Sequence, residues 1–289
     1  MTRSVFVTAL LSLGLLYSAK AELPASTKVG EFHAGCQAYS FRLFTVVEAL
    51  EKIAAAGGKT VEFFPGQKLS KDNEAKFDHN STPEMRQIVK DRLKALGLTA
   101  YGYGVVKLNN NEAEQRQIFD FAKDMGVQVV VSEPAEDSFD LIEKIVKEYD
   151  IKMAIHNHPK RPLDRAYRYW DPEYVLSVVK DRDARMGACA DLGHWVRSGV
   201  KPVDAIRILK GRIFDSHVKD LTEFGNPKAH DMIWGTGQTD IPAALNAFAE
   251  GGFYGPLHAE YEHNWETNVD DITQCLTWLK NFKITKATK

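Results

Sequence analysis

Imidazoles and carboxylates recur along the second half of this chain at a spacing that chemistry can use. His156-Asn157-His158 is followed by Asp191-Leu192-Gly193-His194, then by His217-Val218-Lys219-Asp220, then by Glu260 and Glu262. Each group sits where a short apolar run stops, so each reads as the end of a buried strand. Four of the nine histidines fall at three consecutive strand ends, whereas surface placement would scatter them over helices. A mixed carboxylate and imidazole set suits one divalent ion such as Mn²⁺, Zn²⁺, Co²⁺ or Mg²⁺. Thiolates are missing from the set, which argues against a structural zinc. Asp191, His217 and Glu260 are the three least easily explained as structure, and they are the expected metal ligands. A lone strand-end histidine such as His258 is expected to be hydrogen-bonded structure instead.

The elements that must position these residues alternate regularly. Apolar runs at 34–40, 60–64, 98–106, 127–132, 151–155, 186–190, 212–216 and 257–259 predict strands. Helical periodicity fills 46–56, 83–96, 112–125, 139–149, 172–180, 201–210, 241–250 and 269–282. Thr82 with Pro83, Asn111 and Ser138 supply start signals; Gly57, Gly97, Gly126, Gly211 and Gly251 supply stops. The polar stretch 67–81 shows no apolar period and is expected to be a loop over one end. Eight strand–helix units predict a single-domain α/β protein, a closed (β/α)8 TIM barrel. An open doubly wound sheet is the alternative, but no Gly-x-Gly-x-x-Gly follows the first strand.

Active sites of such barrels lie at the C-terminal strand ends. The first four strands bring Gln37 and Tyr39, Glu62, Lys107 and Glu133 to that end. Gln37, Tyr39 and Glu62 are therefore candidate substrate contacts. Tyr167, Tyr169 and Trp170 follow the fifth strand and either cover a sugar face or pack their own loop.

Composition sets bounds. Of 289 residues, 44% are hydrophobic and 26% charged, ordinary for a globular protein, and the net charge of -2 offers no basic face for nucleic acid. At the N-terminus Arg3 precedes an apolar run over 5–16 and an Ala19-Lys20-Ala21 site. That is the pattern of a secretory signal peptide over 1–21, leaving a domain over 22–289 that is secreted or periplasmic and has no further membrane contact. The run is too short to span a bilayer, which takes roughly 20 residues. Cys36, Cys189 and Cys275 form no disulfide framework and are expected to be buried. A homo-oligomer is compatible with the sequence, which does not specify one.

With these motifs in place, the chain resembles the xylose-isomerase-like TIM barrel superfamily of sugar phosphate isomerases and epimerases. The likeness rests on Ala190-Asp191-Leu192-Gly193-His194, on His217-Val218-Lys219-Asp220, on Gly235-Thr236-Gly237-Gln238-Thr239-Asp240 and on Glu260. The resemblance implies one metal held by Glu, Asp, His and Glu from the last four strands, of which Asp191, His217 and Glu260 match. It implies a substrate contact for His194. On the fifth strand this chain has His156 where the family pattern has Glu. Either His156 or Glu133, on the neighbouring strand, is then the fourth ligand.

The resemblance implies a carbohydrate substrate and removal of a proton α to a carbonyl, with Glu260 or His156 as the base. His158, His194 and Lys219 would orient hydroxyls or supply the proton to a leaving oxygen. In two-carboxylate epimerases of this kind the strand-five and strand-eight glutamates act on opposite faces. With His156 the faces carry different groups, which suits an elimination, a hydration or a one-base isomerisation better than a symmetric epimerisation. Export points to unphosphorylated sugars, and lyases or hydratases of 3-keto-glycosides are one such class. A metal-dependent endonuclease is disfavoured by the net charge. A non-catalytic sugar-binding barrel is the reading from outside enzymology, and the intact ligand trio argues against it.

Overall fold

The computed structural model describes residues 23–285, so the expected signal segment lies outside the described residues. Eight parallel strands run Phe32–Gln37 (β1), Thr60–Phe63 (β2), Thr99–Val106 (β3), Val129–Ser132 (β4), Lys152–His156 (β5), Met186–Asp191 (β6), Ile213–Val218 (β7) and Leu257–Ala259 (β8). Each pairs with its neighbour in sequence, and β1 also pairs with β8, so the sheet closes. The closed (β/α)8 barrel expected from the alternation is the fold.

Strands covered on both faces have no solvated side, and Val129, Val130, Val131 and Ser132 of β4 are accordingly all buried. Helices Val46–Ala55 (α1), Pro83–Leu96 (α2), Glu112–Asp124 (α3), Phe139–Tyr149 (α4), Pro172–Val179 (α5), Leu192–Arg197 (α6), Pro202–Ile208 (α7), Ile241–Glu250 (α8) and Val269–Asn281 (α9) surround the barrel. Local chemistry places them. Thr45 and Glu48 close a reciprocal capping box on α1, Thr82 and Pro83 start α2, and Gly97 ends it at φ 65°. Ser138 departs from its expected role: its hydroxyl donates to the Ala135 carbonyl and caps no helical N–H.

Three further differences matter for the site. The polar stretch 67–81 is not a bare loop. Gln67–Lys68 pairs antiparallel with Lys76–Phe77, and fully buried Leu69 and Phe77 pin the hairpin to the core. Strands β5, β6 and β7 run one or two residues further than expected, to His156, Asp191 and Val218, so the chemical residues sit on rigid sheet rather than just past it. The six-residue α6 was not expected. Asp191 starts it, accepting the His194 N–H at 2.7 Å.

Cys36, Cys189 and Cys275 are free and buried. No helix of the described residues is long and apolar enough to cross a membrane. Glycine is required where strands crowd the barrel axis. A Cβ on Gly35 would lie 1.8 Å from the Thr60 carbonyl oxygen, and one on Gly102 would lie 2.7 Å from the Glu62 side chain and 2.8 Å from Asp215. Gly35→Ala therefore forces β1 and β2 apart and is expected to cost about 3 kcal/mol or more, a value typical of severe overpacking. Chemical denaturation checks this, and an unchanged midpoint would refute the crowding argument.

Candidate metal centre

The ends of β5, β6, β7 and β8 bring His156, Asp191, His217 and Glu260 together, all buried, with one donor atom of each within 4.8 Å of the others. Nε2 of His156 lies 3.2 Å from Nδ1 of His217 and 3.6 Å from Oδ2 of Asp191. Nδ1 of His217 lies 3.8 Å from Asp191 Oδ2 and 3.1 Å from Glu260 Oε2. Donors about 2.0–2.2 Å from one ion are separated by roughly 3–4 Å, so these spacings fit a single divalent cation. Asp191 Oδ2 and Glu260 Oε2 both face the Lys219 ammonium, at 2.9 and 2.8 Å, so the oxygens turned toward the cluster already serve one cation. Two imidazoles and two carboxylates form a borderline donor set of the kind that takes Mn²⁺, Co²⁺ or Zn²⁺.

Residues around the cluster orient it. Glu62 is fully buried and accepts from His217 Nε2 at 2.7 Å, which leaves the Nδ1 lone pair of His217 pointing at the other donors. Gln37 donates to the second oxygen of Glu62 at 3.1 Å. Glu62, expected to touch substrate, is thus enclosed beneath the site and acts on a ligand. Asn157 exchanges two 2.9 Å hydrogen bonds with the backbone of Asp191, tying the end of β5 to the end of β6. Lys219 is buried, its ammonium 2.9 Å from Asp191, 2.8 Å from Glu260 and 3.4 Å from Glu262. Burial alone would raise the Asp191 pKa, but the Lys219 ammonium beside it holds it well below the usual carboxylate range. Burial disfavours the Lys219 charge too, and Asp191 and Glu260 override it, so this ammonium keeps its proton.

The structure separates the two candidates for the fourth ligand. His156 contributes to the cluster. Glu133 stands on the far side of the His156 ring, 4.0 Å from its Nδ1, and lies outside the four-residue set. Its carboxylate instead accepts from His158 Nδ1 at 2.6 Å and from the Tyr167 hydroxyl. Burial opposes its ionisation, but His158 brings its pKa down to about 2. His158 is thereby a histidine oriented by a carboxylate, its ring on the wall of the cleft.

That cleft, about 380 Å³, lies above the cluster and is lined by Tyr39, Phe64, His158, His194 and Glu262 among others. Tyr39 and Phe64 meet edge to face at 5.2 Å, giving an apolar wall suited to the C–H face of a sugar ring. His194 receives the Arg197 guanidinium on Nδ1 at 3.1 Å. Its Nε2 faces the Lys219 ammonium at 3.5 Å, so both ring nitrogens of His194 meet groups that only donate. Burial pushes the His194 pKa well down, consistent with a neutral ring. Trp170 does not line the cleft; it is half-buried in its loop beneath the Lys160 ammonium, 4.6 Å from the ring. Sequence reasoning missed Arg197 and the linking role of Tyr167. Arg197 had a signal, since it lies three residues after His194 on one helix face. Tyr167 had none, because a loop residue's partner is set by tertiary structure.

The Gly235–Asp240 segment has a structural duty. The Asp220 carboxylate accepts from the backbone N–H of Gly235, Gly237, Thr239 and Leu221 at 2.8, 2.9, 2.9 and 3.1 Å. A Cβ on Gly237 would lie 2.4 Å from Asp220 Oδ1, so that approach needs glycine.

The barrel has counterparts among known proteins. The sequence model of the xylose isomerase-like TIM barrel family matches residues 50–282. The chain belongs to that family. Among solved xylose isomerase-like and related structures, an uncharacterised protein from Parabacteroides distasonis ATCC 8503 is 30% identical, with a TM-score of 0.69 over 86% of this chain and 98% of that one. A D-tagatose 3-epimerase-like protein is 19% identical, with a TM-score of 0.65 over 85% and 94% of the two chains, and shares the fold. A mannonate dehydratase from Brachyspira hyodysenteriae is 31% identical over 123 residues, 40% of this chain and 34% of that protein, so the match spans about a third of the curated relative.

Two expectations follow from the site. Glu62→Gln leaves His217 unanchored and should weaken divalent-metal affinity roughly 10–100-fold, measured by competition with a chromogenic chelator. A separate ion pair lies deeper, where His258 Nδ1 meets Asp215 at 2.8 Å and its Nε2 meets Thr60 Oγ1 at 3.1 Å. Burial disfavours charge on His258, but Asp215 overrides it and raises the pKa to about 9. The unfolded value is about 6.5. The folded state therefore binds the proton more tightly, and this stabilisation is complete below pH 6.5 and lost as pH rises toward 9. The denaturant midpoint should fall across that window and do so less in His258→Gln; equal slopes would refute the assignment.

Proposed function

We propose that this protein is a divalent-metal-dependent carbohydrate enzyme of the isomerase and epimerase type, removing a proton α to a carbonyl. The observation that carries the reading is the convergence of His156, Asp191, His217 and Glu260 beneath a cleft with one aromatic wall. Those four residues would hold the ion, whose contribution when bound is to polarise the substrate carbonyl as a Lewis acid. His194, on the wall of the cleft, is placed to contact a substrate oxygen. Lys219 offsets the charge of Asp191 and Glu260 and stays protonated, so its part is electrostatic. Glu260, on the β8 side, is the base of this reading, and His158 moves a proton on the β5 side. Supported by Glu133, His158 can give that proton to an oxygen or take it from carbon. Export by the N-terminal segment belongs to the same proposal and directs it to unphosphorylated sugars or glycosides.

Elimination is the second reading, with keto-sugars or 3-keto-glycosides as substrates. The His158–Glu133 pair favours it, because an oriented imidazole can protonate a departing oxygen opposite the carboxylate Glu260. The partial match to a mannonate dehydratase points the same way.

The test is elemental analysis of the purified protein, followed by incubation of the metal-loaded form in D₂O with aldo-sugars, keto-sugars and 3-keto-glycosides. The expected result is one divalent ion per chain and deuterium at one carbon of one substrate class. Asp191→Ala should lose both; full metal and full exchange in that variant would sink the proposal. His158→Gln should keep the metal and lose roughly 10²–10⁴-fold in rate. A product lacking one water, or lacking its aglycone, would select the elimination.

A further inference from the structure

Beyond the cleft, across Glu133, lies a second cavity of about 580 Å³ at the same end of the barrel. It is formed by the end of β3, the segment after β4 and the loop after β5. Lys107, Arg161, Arg165 and Arg168 line it with Tyr167 and Tyr174. The acids in its wall are Glu136 and Asp164. Glu136 is engaged by Arg168 at 2.8 Å and by the Tyr174 hydroxyl at 3.0 Å, and Asp164 lies 3.6 Å from Arg161. Four cations thus face two acids, and neither Lys107 nor Arg165 takes part in an ion pair with them.

Two of the guanidiniums are held in place. Arg161 lies over the Tyr167 ring at 3.8 Å and Arg168 over the Tyr174 ring at 3.9 Å. The aromatic face beneath each guanidinium, together with the acids beside it, fixes the cation at the cavity wall, so its immobilisation has already been met in the free protein. Such an arrangement recognises an oxyanion.

The cavity is joined to the cleft by shared residues. Glu133 takes a hydrogen bond from His158, which lines the cleft, and one from Tyr167, which lines the second cavity. Arg161 approaches the other oxygen of Glu133 at 3.6 Å. We infer that this second cavity is an anion subsite, and that the substrate is a carbohydrate carrying an oxyanion group on the side away from the metal. The substrate clause rests on the carbohydrate reading above; anion binding by the cavity does not.

The unphosphorylated substrates proposed above make the carboxylate of an acidic sugar the expected source of the group, and a phosphate ester is the rival source. Titration calorimetry of the full-length protein with sodium glucuronate, glucose and inorganic phosphate distinguishes them. Glucuronate or phosphate should bind and glucose should bind at least about fivefold more weakly, the size expected from two charge-assisted contacts at a solvent-open site. The Lys107→Ala/Arg165→Ala double variant should lose that preference, as should raising the salt from about 50 to about 500 mM. Both positions are exposed, and circular dichroism confirms that the variant is folded. Asp191→Ala should bind the anion as tightly as the parent, so a failed metal centre leaves this result readable. Absence of binding by both anions, or binding unchanged in the double variant, overturns the inference.

Discussion

Three carboxylates, Asp191, Glu260 and Glu262, close on one buried point at the mouth of this barrel, and everything above them depends on the cation that makes this tolerable. Lys219 supplies it from the middle of the cluster. Removing a charged group from water costs several kcal/mol unless it is paired, and like charges this close would otherwise drive one another to protonate. With the ammonium in place Asp191 and Glu260 are held well below the usual carboxylate range. Glu62 does the complementary work from below, holding His217 in the tautomer that turns a lone pair inward. The donor geometry is therefore fixed by buried partners on both sides, and a divalent ion has little left to organise.

The same logic explains the division of labour across the cleft. On the β7 and β8 side, charge is concentrated and enclosed. On the β4 and β5 side, Glu133 and His158 form a half-buried pair that can exchange protons with whatever enters the cleft. His156 brings an imidazole rather than a third carboxylate to the cluster with Asp191, His217 and Glu260. The two walls then differ in kind, and that asymmetry is the reason an elimination competes with isomerisation as a description of the chemistry.

Much of this was legible in the sequence because strands buried on both faces must be continuous apolar runs, so that a sudden acid or imidazole marks their ends. The eight-fold alternation, and Asp191, His217 and Glu260 as neighbours, follow from that alone. What could not be read was anything set by contacts distant in the chain. Glu62 and His217 are 155 residues apart, and only closure of the barrel makes one the anchor of the other. The choice between His156 and Glu133 needed the relative rotation of two adjacent strands. The hairpin at 67–81 escaped because two apolar residues, Leu69 and Phe77, are too few to make a period yet enough to hold it down. Trp170 was drawn toward the cleft by its type, whereas its loop turns it under Lys160.

The clasp around Asp220 sets one side of the barrel rim apart from the other. Four backbone N–H groups converge on that single carboxylate, so the 221–240 segment cannot lift without stranding a buried charge. Across the opening, the 161–170 segment is fastened by side chains instead: the buried Tyr167 and Tyr169 give their hydroxyls to Glu133 and to the Pro134 carbonyl, and Arg168 pairs with Glu136 outside them. The two sides of the opening are thus fastened in different ways, one by main-chain N–H groups gathered on a single carboxylate and the other by side chains that a substitution can remove one at a time.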